Sequence, residues 1–240
     1  MTDDINNWYK KIPKRFIPKY DNPCYNSHLM KIPFRACIIG GSGSGKTQLV
    51  LEILSRMHNT FGLVILCCKS SDEPLYNYLK SKLPPETLHI YENGEVPDLK
   101  EYKDVDTQML FIADDLVNDK KAEPKLNEWW LRGRKLGKGC CMCYLTQSYF
   151  KTPKFIRINC NYFFLKKLSS MRDLNMILKD HDLGLKKDVL FDMYEYCVKN
   201  HGSLVIDSDA EPECRFRRNF LEILNPTEYG KKKIPKYDNK

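Results

Sequence analysis

Short apolar runs alternate with segments of helical period along most of the chain. Ala36-Cys37-Ile38-Ile39 is a strand-like run that ends at Gly40, and beyond the glycines Leu49, Val50, Ile53, Leu54 and Met57 recur at helical spacing over 48–57. The pattern predicts a strand, a loop and a helix. It then repeats. Leu63-Val64-Ile65-Leu66 reads as a strand, 74–82 as a short helix, Leu88-His89-Ile90-Tyr91 as a strand, and Met109-Leu110-Phe111-Ile112-Ala113 as a strand apolar on both faces. A polar, Trp-bearing stretch over 124–136 reads as helix. Strands over 140–145 and 162–165 follow, then helices over 170–179 and 186–198, an apolar segment over 203–206 and a last strand near 214–220. Strands alternating with helices imply an α/β fold with a mostly parallel sheet covered on both faces.

The ends differ in character. The first ~33 residues are rich in Pro, Lys, Asn and Tyr without a sustained period, and their X-Pro steps favour extended chain. We therefore divide the chain into an N-terminal arm (1–33), one α/β domain (34–225) and a basic C-terminal tail (226–240) carrying Lys231-Lys232-Lys233. Ile17-Pro18-Lys19-Tyr20-Asp21-Asn22 recurs letter for letter as Ile234-Pro235-Lys236-Tyr237-Asp238-Asn239. Two copies are too few for a solenoid and read as terminal arms, able to dock on equivalent surfaces of neighbouring subunits, or as local drift of low-complexity sequence.

Composition narrows the class without choosing it. With 240 residues, 42% apolar and 29% charged, the chain can build a sizeable core and is not predominantly disordered. No run of 18 apolar residues occurs, and Met1-Thr2-Asp3-Asp4 is unlike a signal peptide, so neither a membrane span nor secretion is expected. A net charge of +8 is compatible with a polyanionic partner. The 10 cysteines fall largely in strand-like runs, where neighbours such as Cys67-Cys68 point to opposite faces; they read as reduced core thiols and not as a zinc site.

The chemistry begins at Gly40-Gly41-Ser42-Gly43-Ser44-Gly45-Lys46-Thr47, a G-x-x-x-x-G-K-[ST] phosphate loop standing between a strand and a helix as its mechanism requires. Its glycines let backbone N–H groups turn towards a phosphate at a helix N-terminus. Lys46 is expected to bridge the β- and γ-phosphates, and the Thr47 hydroxyl to ligate Mg²⁺. Asp114-Asp115 close the apolar run 109–113, placing Asp114 for the metal and Asp115 for the attacking water, although either could simply cap the next helix. Gln147, in Tyr144-Leu145-Thr146-Gln147-Ser148 at the end of another strand, is the candidate sensor of the γ-phosphate. No Asn-Lys-x-Asp guanine reader is present. Together these elements favour ATP hydrolysis with Mg²⁺.

Taken with Arg132-Gly133-Arg134, Leu145-Thr146-Gln147-Ser148-Tyr149-Phe150, Pro153, Ile156-Arg157 and Asn159, these motifs resemble, over about 35–167, the genome-packaging ATPases of nucleocytoplasmic large DNA viruses and virophages, a branch of the FtsK–HerA superfamily. The resemblance implies an additional-strand P-loop NTPase fold. It also implies a homo-oligomeric ring, usually hexameric, around double-stranded DNA and ATP-driven movement of the genome into a preformed capsid, with capsid vertex proteins as partners. The implied location is the host cytoplasm (viral factory) or the virion. Lys46 and Thr47 then serve phosphate and metal, Asp114 the metal, Asp115 catalysis and Gln147 sensing. An arginine offered across a subunit boundary is Arg132 or Arg134, with Arg157 next. Lysines 135, 138, 151, 154, 166 and 167 are candidate contacts to DNA phosphates. The alternatives are a helicase or segregation translocase, a P-loop small-molecule kinase, and a scaffold protein with a relict nucleotide site.

Overall fold

The computed structural model describes residues 5–117 and 119–230; the basic run 231–233 and the second copy of the hexapeptide lie outside them. Nine strands form one sheet: β1 (Arg35–Ile39), β2 (Leu63–Cys67), β3 (Leu88–Tyr91), β4 (Met109–Asp114), β5 (Cys140–Thr146), β6 (Tyr162–Leu165), β7 (Leu204–Asp207), β8 (Phe216–Arg218) and β9 (Glu222–Ile223). Their order is β3-β2-β4-β5-β1-β6-β7-β8-β9. The strands from β3 through to β6 are parallel, and β7 to β9 add an antiparallel edge. β5 therefore lies between β1, which leads into the phosphate loop, and β4, which leads into the two acids.

Helices α1 (Lys46–Arg56) and α2 (Pro74–Lys82) cover one face. The other carries α3 (Ala122–Arg132), α4 (Lys154–Asn159), α5 (Met171–Asp180) and α6 (Lys187–Cys197). The alternation within β5 shows how the sequence produces this. Cys140, Met142 and Tyr144 pack with Trp129, Trp130 and Leu174, whereas Cys141, Cys143 and Leu145 pack with Val50, Ile53 and Leu79. All six are buried, so a strand covered on both faces appears as one unbroken apolar run. Burial pushes the Cys141 thiol up to about 12, which keeps it un-ionised and inert.

Four segments depart from the expected pattern. The arm turns through short 3₁₀ helices at Trp8–Lys10, Lys14–Phe16 and Tyr25–Ser27 instead of running fully extended. The helix expected over 124–136 starts at Ala122 and gives way to a 3₁₀ turn at Gly133–Lys135, Pro124 being tolerated in the first turn. The last strand shortens to Phe216–Arg218, because a 3₁₀ turn at Pro212–Cys214 precedes it and Asn219 takes a left-handed conformation (φ 56°) after it. α4 falls where no helix is expected, since its six residues are too few to declare a period.

Candidate functional site

The C-terminal ends of β1, β4 and β5 meet at one rim of the sheet. Gly40 to Gly45 form the loop between β1 and α1, with Gly43 and Gly45 left-handed at φ 69° and 88°. A side chain at Gly40 would lie 2.7 Å from the Lys166 Cβ, so the loop is closely fitted to its surroundings. The loop is tied down at its start: Gly40 N–H donates to the Thr146 carbonyl (3.1 Å) and Gly41 N–H to that of Lys167 (2.9 Å). Leu49 N–H, bonded to Gly45, is the first in α1 to find a helical acceptor. Among the described residues the N–H groups of Lys46, Thr47 and Gln48 have none, and their partial positive charges face the loop. Lys46 Nζ donates to the Gly40 (2.9 Å) and Gly41 (3.2 Å) carbonyls, folded across the cradle it would share with a phosphate.

Asp114 ends β4. Burial, the main cause, raises its carboxyl from the ordinary value, opposed by the Tyr76 hydroxyl that donates to Oδ2 at 2.7 Å and by the Lys46 charge. Asp115 leaves the strand in a left-handed conformation (φ 53°), rare for a residue with a side chain, and its N–H donates to the Leu145 carbonyl (3.1 Å). This twist sends the two adjacent carboxylates in different directions, one towards α2 and one towards Gln147. The Gln147 side-chain amide donates to Asp115 Oδ2 at 2.8 Å. A cavity of about 430 Å³ is lined here by Asp115, Gln147, Lys69 and Lys151. A second, of about 780 Å³, opens on the β6 side of the loop between residues 41–44, 167–169 and 198–202. Of these two cavities, the first holds Asp115 and Gln147 and the second holds neither Asp114 nor Asp115.

The expected residues fall into two groups. Gly40 to Thr47, Asp114, Asp115 and Gln147 converge on the rim. Arg132 and Arg134 do not: they immediately precede β5, whose seven residues carry the chain ~23 Å to Gln147, so neither reaches the phosphate loop of its own subunit. Arg132 is exposed and pairs with Glu128 (3.2 Å). Arg157 is buried and pairs with Asp180 at 2.7 Å, which leaves its guanidinium committed inside the subunit. Lys166 is not a surface cation: it is buried beside the phosphate loop, where its ammonium donates to the His201 carbonyl.

Three contributors are not visible as motifs. Tyr76 comes from α2, 38 residues before Asp114. Asp173 of α5, 2% exposed, accepts from Ser148 Oγ (3.0 Å) and Phe150 N–H (2.8 Å) and so fixes the loop bearing Gln147. Lys166 supplies a second buried cation. Tyr, Asp and Lys on amphipathic or strand-end positions carry no local signature; only the fold brings them to the site.

A phosphate loop, an acidic pair two strands away and a polar strand end between them, on a mostly parallel sheet, define a P-loop NTPase with an additional strand between its motif strands. By sequence the chain belongs to the Poxvirus A32 protein family, whose family model matches residues 23–206. Among solved structures it is similar to the genome packaging NTPase B204 from Sulfolobus turreted icosahedral virus 2 in complex with AMP (TM-score 0.55, 13% identity, 79% of this chain and 98% of that one). The same NTPase in complex with ATP-gammaS gives a TM-score of 0.54 at 14% identity, with the same coverage. B204, the DNA-packaging ATPase from Sulfolobus Turreted Icosahedral Virus, also gives 0.54, at 15% identity and the same shares of each chain. At such identities the likeness speaks for the fold. No curated protein matches the chain. No helix among the described residues is long and apolar enough to cross a membrane.

Proposed function

We propose that this chain is an ATP-hydrolysing motor that drives double-stranded viral DNA into a preformed capsid. The observation that carries the reading is the convergence of Lys46, Asp114, Asp115 and Gln147 on one rim, with β5 between the two motif strands. Membership of the A32 family and the likeness to packaging NTPases support the same activity. The catalytic domain spans 34–225, flanked by the arm (1–33) and the basic tail (226–240). The working form is a ring, with six subunits as the expected number, at a capsid vertex in the infected cell.

In this reading each residue has a task. Polyphosphate lies along the loop with its γ end towards Asp115 and Gln147, because of the two cavities only that one holds Asp115, and its nucleoside towards the β6-side cavity. Lys46 exchanges the Gly40 and Gly41 carbonyls for phosphate oxygens, which offer it charge as well as acceptors. The donor set at the strand ends is hard oxygen, the Thr47 hydroxyl and the Asp114 carboxylate, and no cluster of three or more His, Cys, Asp or Glu side chains stands elsewhere among the described residues. That sparse set suits Mg²⁺, which keeps water and phosphate oxygens among its ligands. When bound, Mg²⁺ neutralises charge on the phosphates. Asp115, released from Gln147, accepts the proton of the attacking water. Arg132, exposed and far from its own subunit's phosphate loop, is the arginine offered to a neighbour's site in this reading, whereas Arg134 turns into the basic groove at the base of the sheet.

Duplex-stimulated ATP hydrolysis tests the reading. The account expects stimulation by duplex DNA that Lys46→Ala abolishes. Turnover that ignores duplex DNA but requires a small phosphoryl acceptor would replace it with a kinase.

A further inference from the structure

The arm and the base of the sheet form a groove that belongs neither to the phosphate site nor to the core. Asp21 and Gln108 clamp the arm to the sheet: Gln108 accepts from Asp21 N–H (2.6 Å) and donates to the Asp21 carbonyl (2.8 Å). Tyr20 lies against Gly139, where an added Cβ would come within 2.7 Å of its ring. Fixed at these points, residues before Tyr20 stand away from the body and enclose a cavity of about 730 Å³, with Tyr9 and Ile17 on the arm side and Arg134, Lys135 and Lys138 on the other.

Its chemistry is one-signed. Among the described residues no carboxylate lines the cavity. Residues 5–20 contain Lys10, Lys11, Lys14, Arg15 and Lys19 and not one acid. Among the described residues only Lys138 of the cavity cations has an ion-pair partner, Asp106 at 3.2 Å, and that aspartate is itself exposed. Among the charges stands one ring turned to solvent: Tyr9 lines the cavity and is 73% exposed, whereas Trp8 and Phe16 lie outside it, each under a cation of the arm, Lys11 at 4.7 Å and Arg15 at 5.0 Å from the ring centroids. A phosphate backbone answers the one-signed charge, and its sugars can lie against the exposed ring of Tyr9. A basic groove with no buried polar reader fits backbone contact without base readout.

We propose that this arm-and-sheet groove grips the phosphate backbone of duplex DNA, at the end of β4 and β5 opposite the nucleotide site. The proposal rests on the reading of the chain as a DNA motor and adds where the track is held. One rigid pair of strands then carries the nucleotide at one end and the DNA at the other: Met109 N–H bonds Gly139 at the groove, and Asp115 N–H bonds Leu145 at the catalytic rim.

The test is the binding of a short fluorescein-labelled duplex by full-length protein, followed by anisotropy across a salt series. Lys19→Ala combined with Lys135→Ala should weaken binding about tenfold and reduce the slope of log affinity against log salt by about two, one for each lysine that no longer neutralises a phosphate. ATP affinity and duplex-free ATP hydrolysis should stay as in the parent, and Lys19→Arg with Lys135→Arg should restore duplex affinity. Tyr9→Ala should weaken binding with the salt slope unchanged. Unaltered affinity and slope in the lysine variant would overturn the proposal and leave the motor reading standing. A change in mass in solution with DNA affinity intact would overturn it in favour of docking between copies of the chain. Failure of the parent protein to bind duplex at low salt would overturn the motor reading along with it.

Discussion

Two adjacent aspartates meet different partners because one backbone twist separates them. Asp114 finishes β4 and faces Tyr76 and Lys46, whereas Asp115 turns left-handed and meets Gln147. Asp115→Asn keeps the shape and the hydrogen bond but removes the proton acceptor, so ATP hydrolysis should fall about a hundredfold or more while nucleotide binding persists; single-turnover hydrolysis and a binding titration separate the two effects. The Asp114 carboxyl is raised chiefly by burial, and the Tyr76 hydroxyl partly offsets this by favouring the ionised form. Because the folded value lies above the unfolded one, this group favours the folded state at low pH, and that contribution disappears as pH rises through the folded value. The proposed role in catalysis runs the other way, since a carboxyl holds Mg²⁺ only as the ion. Tyr76→Phe removes a donor to the carboxylate, so the acid limb of the pH–rate profile should move to higher pH and more Mg²⁺ should be needed; an unmoved acid limb would deny Tyr76 a positioning role. The phosphate loop, both acids and Gln147 are readable from sequence because each sits within a few residues of the strand that aims it. Tyr76 and Asp173 are not, because their meaning depends on which helix packs over which strand.

Among the elements, β5 and α3 carry most of the weight. The apolar run of β5 predicts a core strand, but its place between β1 and β4 rests on the order of the sheet, which no periodicity encodes. The Trp-bearing helix reads from sequence as polar, with lysines of interest beside Trp129-Trp130. In the fold both rings are fully buried, Trp129 stacked on Phe111 at 4.5 Å between centroids with its N–H donating to Pro97, and the lysines stand apart on the surface. Aromatic side chains within a charged segment read as a surface from composition alone; only packing against β4 reveals them as the anchor of α3. Trp129→Ala should therefore cost about 3–5 kcal/mol of stability, seen as an earlier denaturant midpoint. Asp173→Ala removes the acceptor that fixes the loop after β5, leaving the N–H of Phe150 and the hydroxyl of Ser148 without their partner. It should lower turnover more than nucleotide affinity, because the loop's sensor acts on the γ end; equal loss in both would mean that α5 merely supports the fold.

At the scale of the whole molecule, one sheet separates two kinds of surface. The C-terminal rim of the parallel strands gathers the phosphate loop and acids, while the opposite end, with the arm clamped to it, gathers basic side chains and exposed rings. The net charge of +8 carries no such division. It emerges because Arg134, Lys135, Lys138 and the arm all precede or overlie the start of strands whose far ends hold the acids. A motor needs nucleotide chemistry linked to movement along a track, and movement is its defining act. The most direct measurement is therefore ATP-dependent displacement of a third strand from a triplex-bearing duplex by the full-length protein. The account predicts displacement that requires ATP and Mg²⁺ and disappears in Lys46→Ala and Asp115→Asn. Brisk, duplex-stimulated ATP hydrolysis that leaves the third strand in place would contradict it.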